Sequence, residues 1–253
     1  NKHNRLLIRR YTMYKFEVPK EKQVRVIIDT DAKNEADDQF AIVHALLTPK
    51  FNIKGIIASH FGTRRTTRSM EESYEECVKL LDLMELTGKV DVLKGAKEAI
   101  ISETEYEYSE GAKRIVEEAL SDDPSKLFVV FLGPLTNLAC AYLHNPEIAG
   151  KLTAIWIGGG PYPEGGGEFN LSNDIKAANI IMKSDIELWQ VPSNVYSRMI
   201  TSFAELQERV YPYGKVGRYL FEQMVEFNME LTKATAGLNI DWPKGESWSL
   251  GDS

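Results

Sequence analysis

The stretch V-R-V-I-I-D-T-D-A-K-N-E-A-D-D, residues 24–38, is the most informative part of this 253-residue chain. Its first half is mostly apolar and β-branched, which predicts a buried strand that delivers Asp29 and Asp31 at its carboxyl end. After a short loop, Asp37 and Asp38 open a segment with helical periodicity. The sequence therefore predicts four carboxylates crowded at one strand-to-helix turn.

Carboxylates this close together repel one another and raise one another's pKa values when nothing compensates their charge. A divalent cation with oxygen ligands, Ca²⁺ or Mg²⁺, is the simplest compensation. Alternatively, Asp37 and Asp38 only cap the helix and complement its dipole. Because that alternative leaves Asp29 and Asp31 unexplained, we favour a metal site.

The composition excludes several classes of protein. With 37 acidic and 30 basic residues, the formal net charge is −7, which argues against a broad nucleic-acid or anionic-membrane surface. No apolar run approaches the roughly 20 residues needed to cross a bilayer. Cys77 and Cys140 lie far apart in helical patterns, which favours two buried thiols in a reducing compartment. We therefore expect a cytoplasmic protein with no nucleic-acid or membrane partner.

Short β-rich runs alternate with segments of helical spacing along most of the chain. This alternation predicts an α/β fold with an open, mostly parallel sheet and helices on both faces. The predicted strands cover 24–28, 53–58, 90–93, 127–132, 152–157 and 186–191. The predicted helices cover 37–47, 68–86, 109–120, 135–144, 174–184, a short helix that a capping box starts at Ser202, and about 215–231.

The chain divides into a short arm and one larger unit. Residues 1–22 are basic and mixed in character, and they lack the apolar core of a signal peptide. We expect this arm to lie on the domain or on a partner subunit; a solvated leader is an equal alternative. Residues 23–253 are predicted to form a single α/β domain.

Polar and glycine-rich segments follow the predicted strands. Ser59–Thr63 follows the second strand, Gly133–Asn137 the fourth, and Gly158–Gly160 the fifth, with Glu168 and Asn170 shortly after. Ligands of open parallel sheets bind beyond the carboxyl ends of the strands, so these segments predict the site. The glycines are expected to supply unusual backbone angles rather than to bind nucleotide phosphate, because no Gly-Lys-Ser/Thr follows them.

Three motifs in this order resemble those of the nucleoside hydrolases, the calcium-dependent inosine-uridine preferring N-ribohydrolases. They are D-T-D…D-D after the first strand, G-P-L-T-N-L-A after the fourth and G-G-G…E-F-N-x-x-x-D after the fifth. The resemblance spans about residues 24–253. It implies a Rossmann-like sheet, a Ca²⁺ cofactor and hydrolysis of the N-glycosidic bond of ribonucleosides or related ribosides to ribose and base. It also implies a homo-oligomer, either a dimer or a tetramer.

The resemblance assigns the metal ligands and the catalytic base. Asp31 and Asp38 would bind Ca²⁺ through their carboxylates, and Thr136 would contribute its backbone carbonyl. Asp252 is the candidate for the late aspartate ligand of the family. Asp31 would also take a proton from the metal-bound water, with Asp29 as a supporting carboxylate.

The resemblance also assigns the substrate-binding residues. Asp37 would accept a hydrogen bond from a ribose hydroxyl, and Glu168 and Asn170 match the residues that hold the ribose hydroxyls. Thr63 stands where family members often have a substrate-binding Asn. Trp248 could stack on the base, as could Trp242, Tyr196 and Phe61, although core packing is the more common role of any one aromatic residue.

The sequence departs from the family pattern in ways that leave the leaving-group acid unassigned. Residues 32–36, A-K-N-E-A, replace a shorter P-G-x spacer and bring Asn34 and Glu35 near the site. This insertion leaves open whether Asp29 or Asp31 corresponds to the catalytic base. Many members have a His just before the final Asp that acts as the leaving-group acid, and this chain has Gly251 at that position. His60 is the histidine expected at the active edge, so it is the candidate donor. Family members also continue beyond Asp252, so the C-terminal part is expected to be incomplete.

Two other functions stay open at this point. The first is a catalytically degraded nucleoside- or sugar-binding protein, which Gly251 supports and the retained carboxylates oppose. The second is a Mg²⁺-dependent phosphohydrolase with a strand-end D-x-D, in which Asp29 would be the nucleophile. Such enzymes need a Thr or Val where this chain has Lys33, together with a downstream lysine at a strand end, and no convincing lysine is found.

Overall fold

The computed structural model describes residues 14–238, 240 and 243–253. Of the predicted N-terminal arm, residues 1–13 lie outside this described part. The remainder contacts the domain through Tyr14, whose hydroxyl donates to the Leu47 carbonyl at 3.0 Å. A short 3-10 turn over Lys20–Lys22 then leads into the first strand.

Six strands form one parallel sheet with the order β3-β2-β1-β4-β5-β6, as the alternation predicted. The strands are β1 (Val24–Thr30), β2 (Phe51–Ala58), β3 (Val92–Lys94), β4 (Leu127–Phe131), β5 (Thr153–Ile157) and β6 (Glu187–Val191). β1 pairs with both β2 and β4, so the order of strand addition reverses beside it. Ligand sites of such sheets lie at this switch point, beyond the carboxyl ends of the strands.

Helices cover both faces of the sheet, as predicted. They are α1 (Asp38–Leu47), α2 (Ser69–Leu83), α3 (Glu110–Ala119), α4 (Thr136–His144), α5 (Phe169–Asn173), α6 (Ile175–Met182), α7 (Ser193–Tyr196), α8 (Phe203–Arg209) and α9 (Gly214–Ala234). α3, α4 and α6 enclose one apolar core against the sheet. α1, α2, α8 and α9 enclose a second core. Each core excludes water from one face of β1, which explains the nearly continuous apolar sequence of this strand.

Two short strands after β6 were not predicted. β7 (Ile200–Ser202) and β8 (Ser247–Ser249) pair in antiparallel fashion. Three residues are too few to show a period-two pattern, so no periodicity predicts these strands. The predicted capping box is confirmed, because the Ser202 hydroxyl accepts the Glu205 N–H at 3.2 Å at the start of α8.

Cys77 and Cys140 are buried free thiols, in agreement with the sequence analysis. Within the described part of the chain, we find no helix with both the length and the apolar character that a bilayer crossing requires.

Candidate active site

A small acidic pocket of about 60 Å³ lies at the carboxyl edge of the sheet, next to the switch point. We call it the acidic pocket. Its lining comes from the loop after β1, the ends of β4 and β5, α5, α7 and the C-terminal segment: Asp31, Asn34, Glu35, Asp37, Asp38, Leu132, Ile157, Glu168, Phe169, Asn170, Tyr196 and Asp252. The structure therefore brings together most of the carboxylates that the sequence predicted for this edge.

Asp29 lies behind the pocket and does not line it. Its carboxylate accepts hydrogen bonds from the Ser59 hydroxyl and, at 2.9 Å, from the Asn137 amide. Burial raises the pKa of Asp29 to about 7, although these two hydrogen bonds oppose the shift. Because both of its oxygens have donors, Asp29 is held as a supporting group for the loop that follows it.

Asp31 faces the pocket and is 1% exposed. Its Oδ2 has no hydrogen-bond partner among the described residues. Burial, followed by the negative charges of Asp38 and Glu35, raises the pKa of Asp31 well above its usual range. Gly133 packs directly against it, since a Cβ at Gly133 would lie 3.1 Å from Asp31 Cγ. Asp31, which the sequence predicted for this site, therefore has a buried carboxylate oxygen with no hydrogen-bond donor among the described residues.

Asp37, Asp38 and Asp252 form a close cluster of carboxylates. Each offers one oxygen, and these atoms lie within 4.8 Å of one another. The Thr30 hydroxyl donates to Asp38. Burial raises the pKa of Asp38 to about 6, and burial with the neighbouring carboxylates raises the pKa values of Asp37 and Asp252 well above normal. A set of close oxygen donors with surplus negative charge fits a hard divalent cation.

His60 and Thr136 do not line the acidic pocket. The Gly62 N–H donates to His60 Nδ1 at 3.2 Å, so the proton lies on Nε2, which is 2.9 Å from the Thr136 hydroxyl. That hydroxyl donates to Asp174 at 2.8 Å. Burial lowers the pKa of His60 to about 4, so the ring is neutral. The structure therefore does not place these two residues in the lining of the acidic pocket; from the same turn, Leu132 lines it.

Glu168 is fixed by three donors. Its Oε2 accepts the main-chain N–H groups of Gly159 and Leu171, each at 2.9 Å. Its Oε1 accepts the Tyr196 hydroxyl at 2.9 Å. Sequence reasoning assigned Glu168 to this edge but missed the partnership with Tyr196, for which no motif gives a signal.

Asn170 links the ends of two strands through its amide. Its Nδ2 donates to the carbonyls of Leu132 at 2.7 Å and Ile157 at 2.8 Å. An amide nitrogen carries two hydrogens, so both are used. The carbonyl Oδ1 is then the atom that Asn170 can present to a ligand.

The glycines after β5 have packing and conformational roles. A Cβ at Gly158 would lie 2.3 Å from the Trp156 ring, and Gly159 has a φ of +73°. The Gly159 N–H is already bonded to Glu168. These observations agree with the expectation that the glycines serve the loop rather than a phosphate.

A larger cavity of about 370 Å³ adjoins the acidic pocket. We call it the outer cavity, and Glu35, Asp37 and Tyr196 line both. The remaining lining consists of Ser197, Ile200, Lys244, Ser247, Trp248, Ser249 and Gly251. Trp248 also packs edge-on against Phe227, with ring centroids 5.6 Å apart. Thr63 is exposed and lines neither space.

The inserted residues 32–36 shape the rim of the site. Asn34 accepts two hydrogen bonds from Arg65, through its carbonyl at 2.5 Å and its side-chain oxygen at 2.6 Å. Burial and the Asp38 charge raise the pKa of Glu35 to about 7, against the opposing charge of Arg65. Sequence analysis placed Asn34 and Glu35 near the site and did not foresee Arg65, which lies in a loop of ordinary solvated residues.

The sequence profile of the family described as "Inosine-uridine preferring nucleoside hydrolase" matches residues 26–253. The "Probable uridine nucleosidase 2" of Arabidopsis thaliana is 27% identical over 227 residues, which cover 78% of this chain and 67% of that protein. The "Pyrimidine-specific ribonucleoside hydrolase RihA" of Salmonella paratyphi A is 25% identical over 233 residues, covering 82% and 72%. The chain spans 64–67% of the length of four plant relatives, which are named uridine nucleosidases or probable uridine nucleosidases.

Solved structures show the same architecture. The purine-preferring ribonucleoside hydrolase from Gardnerella vaginalis superposes with a TM-score of 0.71 at 21% identity, covering 90% of this chain and 77% of that one. A plant nucleoside hydrolase superposes with a TM-score of 0.69 at 20% identity, covering 90% and 76%. At these identities the likeness concerns the fold.

Proposed function

Because the chain belongs to the inosine-uridine preferring nucleoside hydrolase family, we propose that it hydrolyses the N-glycosidic bond of ribonucleosides or closely related ribosides to ribose and base. One observation carries the proposal: carboxylates from both ends of the chain line the same pocket as Glu168 and Asn170. Cleavage of a glycosidic bond develops positive oxocarbenium character on the sugar. Fixed carboxylates around the sugar stabilise that charge.

We propose Ca²⁺ as the cofactor, held by Asp31, Asp38 and Asp252. The support is the unpartnered Asp31 oxygen and the close oxygens of Asp38 and Asp252. When bound, the cation lowers the pKa of water and orients the sugar diol. Main-chain carbonyls and water commonly complete a calcium coordination shell. The carbonyl contribution of Thr136 stays a prediction from family resemblance, and this residue lies outside the pocket lining.

Asp31 is the better candidate for the base that receives the proton of the attacking water. It lines the pocket with a free oxygen, whereas both oxygens of Asp29 accept hydrogen bonds. A nearby cation favours the ionised form of a carboxylate. Asp31 is therefore ready to accept a proton only in the metal-loaded protein.

Three side chains are proposed to hold the ribose hydroxyls. Asp37 lines both spaces and can accept a hydroxyl proton. Glu168 is fixed by its three donors and keeps further lone pairs for a sugar hydroxyl. Asn170 contributes Oδ1. We therefore propose that the ribose binds in the acidic pocket with its base toward the outer cavity, where Trp248 would contact it.

A binding protein without turnover is the second candidate. The observation that favours it is Gly251, together with the placement of His60 outside the pocket. The phosphohydrolase alternative is disfavoured, because its nucleophile would be Asp29, which does not line the pocket. Assembly into dimers or tetramers and a cytoplasmic location stay predictions.

The test is an assay of reducing-sugar release from a panel of nucleosides, with Ca²⁺ and with a chelator. We expect ribose release that the chelator abolishes and that Asp31→Asn lowers by about 10²–10⁴. Nucleoside binding without turnover would favour the binding protein. Phosphate release from phosphomonoesters without ribose release would show that the proposal is wrong.

A further inference from the structure

Tyr196 lies at the boundary between the acidic pocket and the outer cavity. It is the last residue of α7, and its main chain is held on two sides. Its N–H donates to the Pro192 carbonyl at 3.1 Å. Its own carbonyl accepts the Ser249 hydroxyl at 3.3 Å. The ring is therefore presented from a fixed backbone, as a residue that orients a ligand must be.

Gly251 faces this ring. A Cβ at position 251 would lie 2.9 Å from Tyr196 Cδ2 and 3.5 Å from Asp37 Oδ2. Gly251 does not have a left-handed backbone conformation, so backbone strain does not explain the glycine. The close approach of the Tyr196 ring does: the ring fills the space that a side chain at position 251 would enter.

We propose that Tyr196 is a positioning residue of the proposed hydrolase site, which orients Glu168 through its hydroxyl and walls the leaving-base side with its ring. This inference rests on the proposed function. It assigns to Tyr196 the space that a side chain at position 251 would otherwise occupy. The hydroxyl orients Glu168, which in turn binds the sugar. The ring limits the space that is open to the base.

The Tyr196 hydroxyl donates its hydrogen bond to Glu168 Oε1 at 2.9 Å. Burial and the Glu168 carboxylate both raise the pKa of Tyr196, so the phenol keeps its proton. The Glu168 Oε1 atom that it holds is the one not bonded to the main chain. Loss of the hydroxyl therefore frees one oxygen of a carboxylate proposed to bind ribose.

The first test compares Tyr196→Phe with the wild-type chain in the presence of Ca²⁺. Calorimetric titration with ribose gives the affinity without turnover, and steady-state kinetics give kcat and KM. We expect ribose affinity to fall about tenfold, because a hydrogen bond to a charged group is lost. Tyr108→Phe is the matched control: its ring stacks on His144 at 3.7 Å, away from both spaces, and its variant should bind ribose normally.

The choice of substrate separates positioning from proton donation. A 4-nitrophenyl riboside has a leaving group that needs no proton, whereas inosine has one that does. Positioning predicts that Tyr196→Phe slows both substrates by the same factor. A loss confined to inosine would overturn the positioning role, because it would make Tyr196 the acid.

A double-mutant cycle tests the contact with Gly251. Gly251→Ala should weaken ribose binding in the wild-type background, since its Cβ displaces the ring, and should have no further effect in Tyr196→Ala. Additive losses, or Tyr196→Phe with unchanged ribose affinity, would overturn the inference. Thermal unfolding confirms that each variant is folded. A wild-type protein that neither binds ribose nor releases it from nucleosides would instead refute the proposed function.

Discussion

The two ends of β1 both bury charge, and they treat it in opposite ways. Near the amino end, Arg25 is 3% exposed. Its guanidinium donates to the carbonyls of Glu118, Asp123 and Ser125 and lies 3.2 Å from the Glu118 carboxylate. Beyond the carboxyl end, Asp31 is equally buried, but one of its oxygens has no partner within the described part of the chain and its neighbours are other carboxylates.

The difference separates a structural charge from a functional one. A buried charge is costly unless it is paired and hydrogen-bonded. At the amino end, residues of the protein itself pair and hydrogen-bond the Arg25 charge. The role of Arg25 is therefore to hold β1 beside α3 and the loop that follows α3. At the carboxyl end, we propose that a bound cation meets this condition.

The largest expected effect is that of Asp31→Asn, beyond the carboxyl end of β1. Removal of the proposed base should lower kcat by about 10²–10⁴. Because one of several repelling carboxylates is neutralised, the metal-free variant should also unfold at a higher temperature than wild type. Ribose-release kinetics and thermal unfolding measure the two effects.

The exposed Asp82 provides the control, since Asp82→Asn removes the same charge far from the pocket and should change neither quantity. Full activity in Asp31→Asn would contradict the assignment of the Asp31 carboxylate to catalysis.

Arg25→Met is the corresponding change near the amino end of β1. Removal of one partner of a buried ion pair should lower the free energy of unfolding by about 3–5 kcal/mol. Activity per folded molecule should stay unchanged. Urea denaturation and an active-fraction assay check this prediction.

Lys54→Met is matched to it, because Lys54 also pairs with Glu118, at 3.5 Å, but from the surface, where such pairs contribute about 0–1 kcal/mol. If activity per folded molecule fell with Arg25→Met, the two ends of β1 would not be independent.

The third prediction concerns pH and Ca²⁺. Burial raises the folded-state pKa values of Asp29 to about 7 and Asp38 to about 6, whereas an unfolded Asp titrates near about 4. Between these values the folded chain binds more protons than the unfolded one, so metal-free stability should fall as pH rises from about 4 to 7. At pH 7.5, Ca²⁺ at a hundred times its Kd should restore about 2.7 kcal/mol.

Thermal unfolding from pH 4 to 8, with Ca²⁺ or chelator, measures this effect. A metal-free protein that is more stable at pH 8 than at pH 5 would show that the negative charge of these carboxylates is compensated without a cation.

The smallest expected effect is that of His60→Gln. The ring is neutral and bonded to Thr136, so its loss should lower stability by about 1–2 kcal/mol and change kcat little. The measurement is kcat with inosine and with a 4-nitrophenyl riboside. A large loss limited to inosine would return His60 to the role of leaving-group acid.

Sequence reasoning predicted the sheet and the acidic edge because both follow from local patterns. Periodicity identifies β1, and the carboxyl-end rule brings Asp31 and Glu168 to one edge. The rule does not say where a side chain points, which is why His60 was expected in the pocket, whereas the carbonyl of Thr136 was expected there from the family resemblance. Nor can a local pattern reveal the contact between Tyr196 and Gly251, since these residues are distant in sequence and meet only through the pairing of β7 with β8.

The position of Asp252 has a consequence for how the protein is made. Asp38 and Asp252 share the carboxylate cluster, yet more than 200 residues separate them in the chain. At a synthesis rate of about 5–20 residues per second, the first acids leave the ribosome at least about 10 s before the last one. A nascent chain therefore carries an incomplete carboxylate cluster throughout translation, and the cation that we propose would find all of its ligands only after Asp252 has been synthesised.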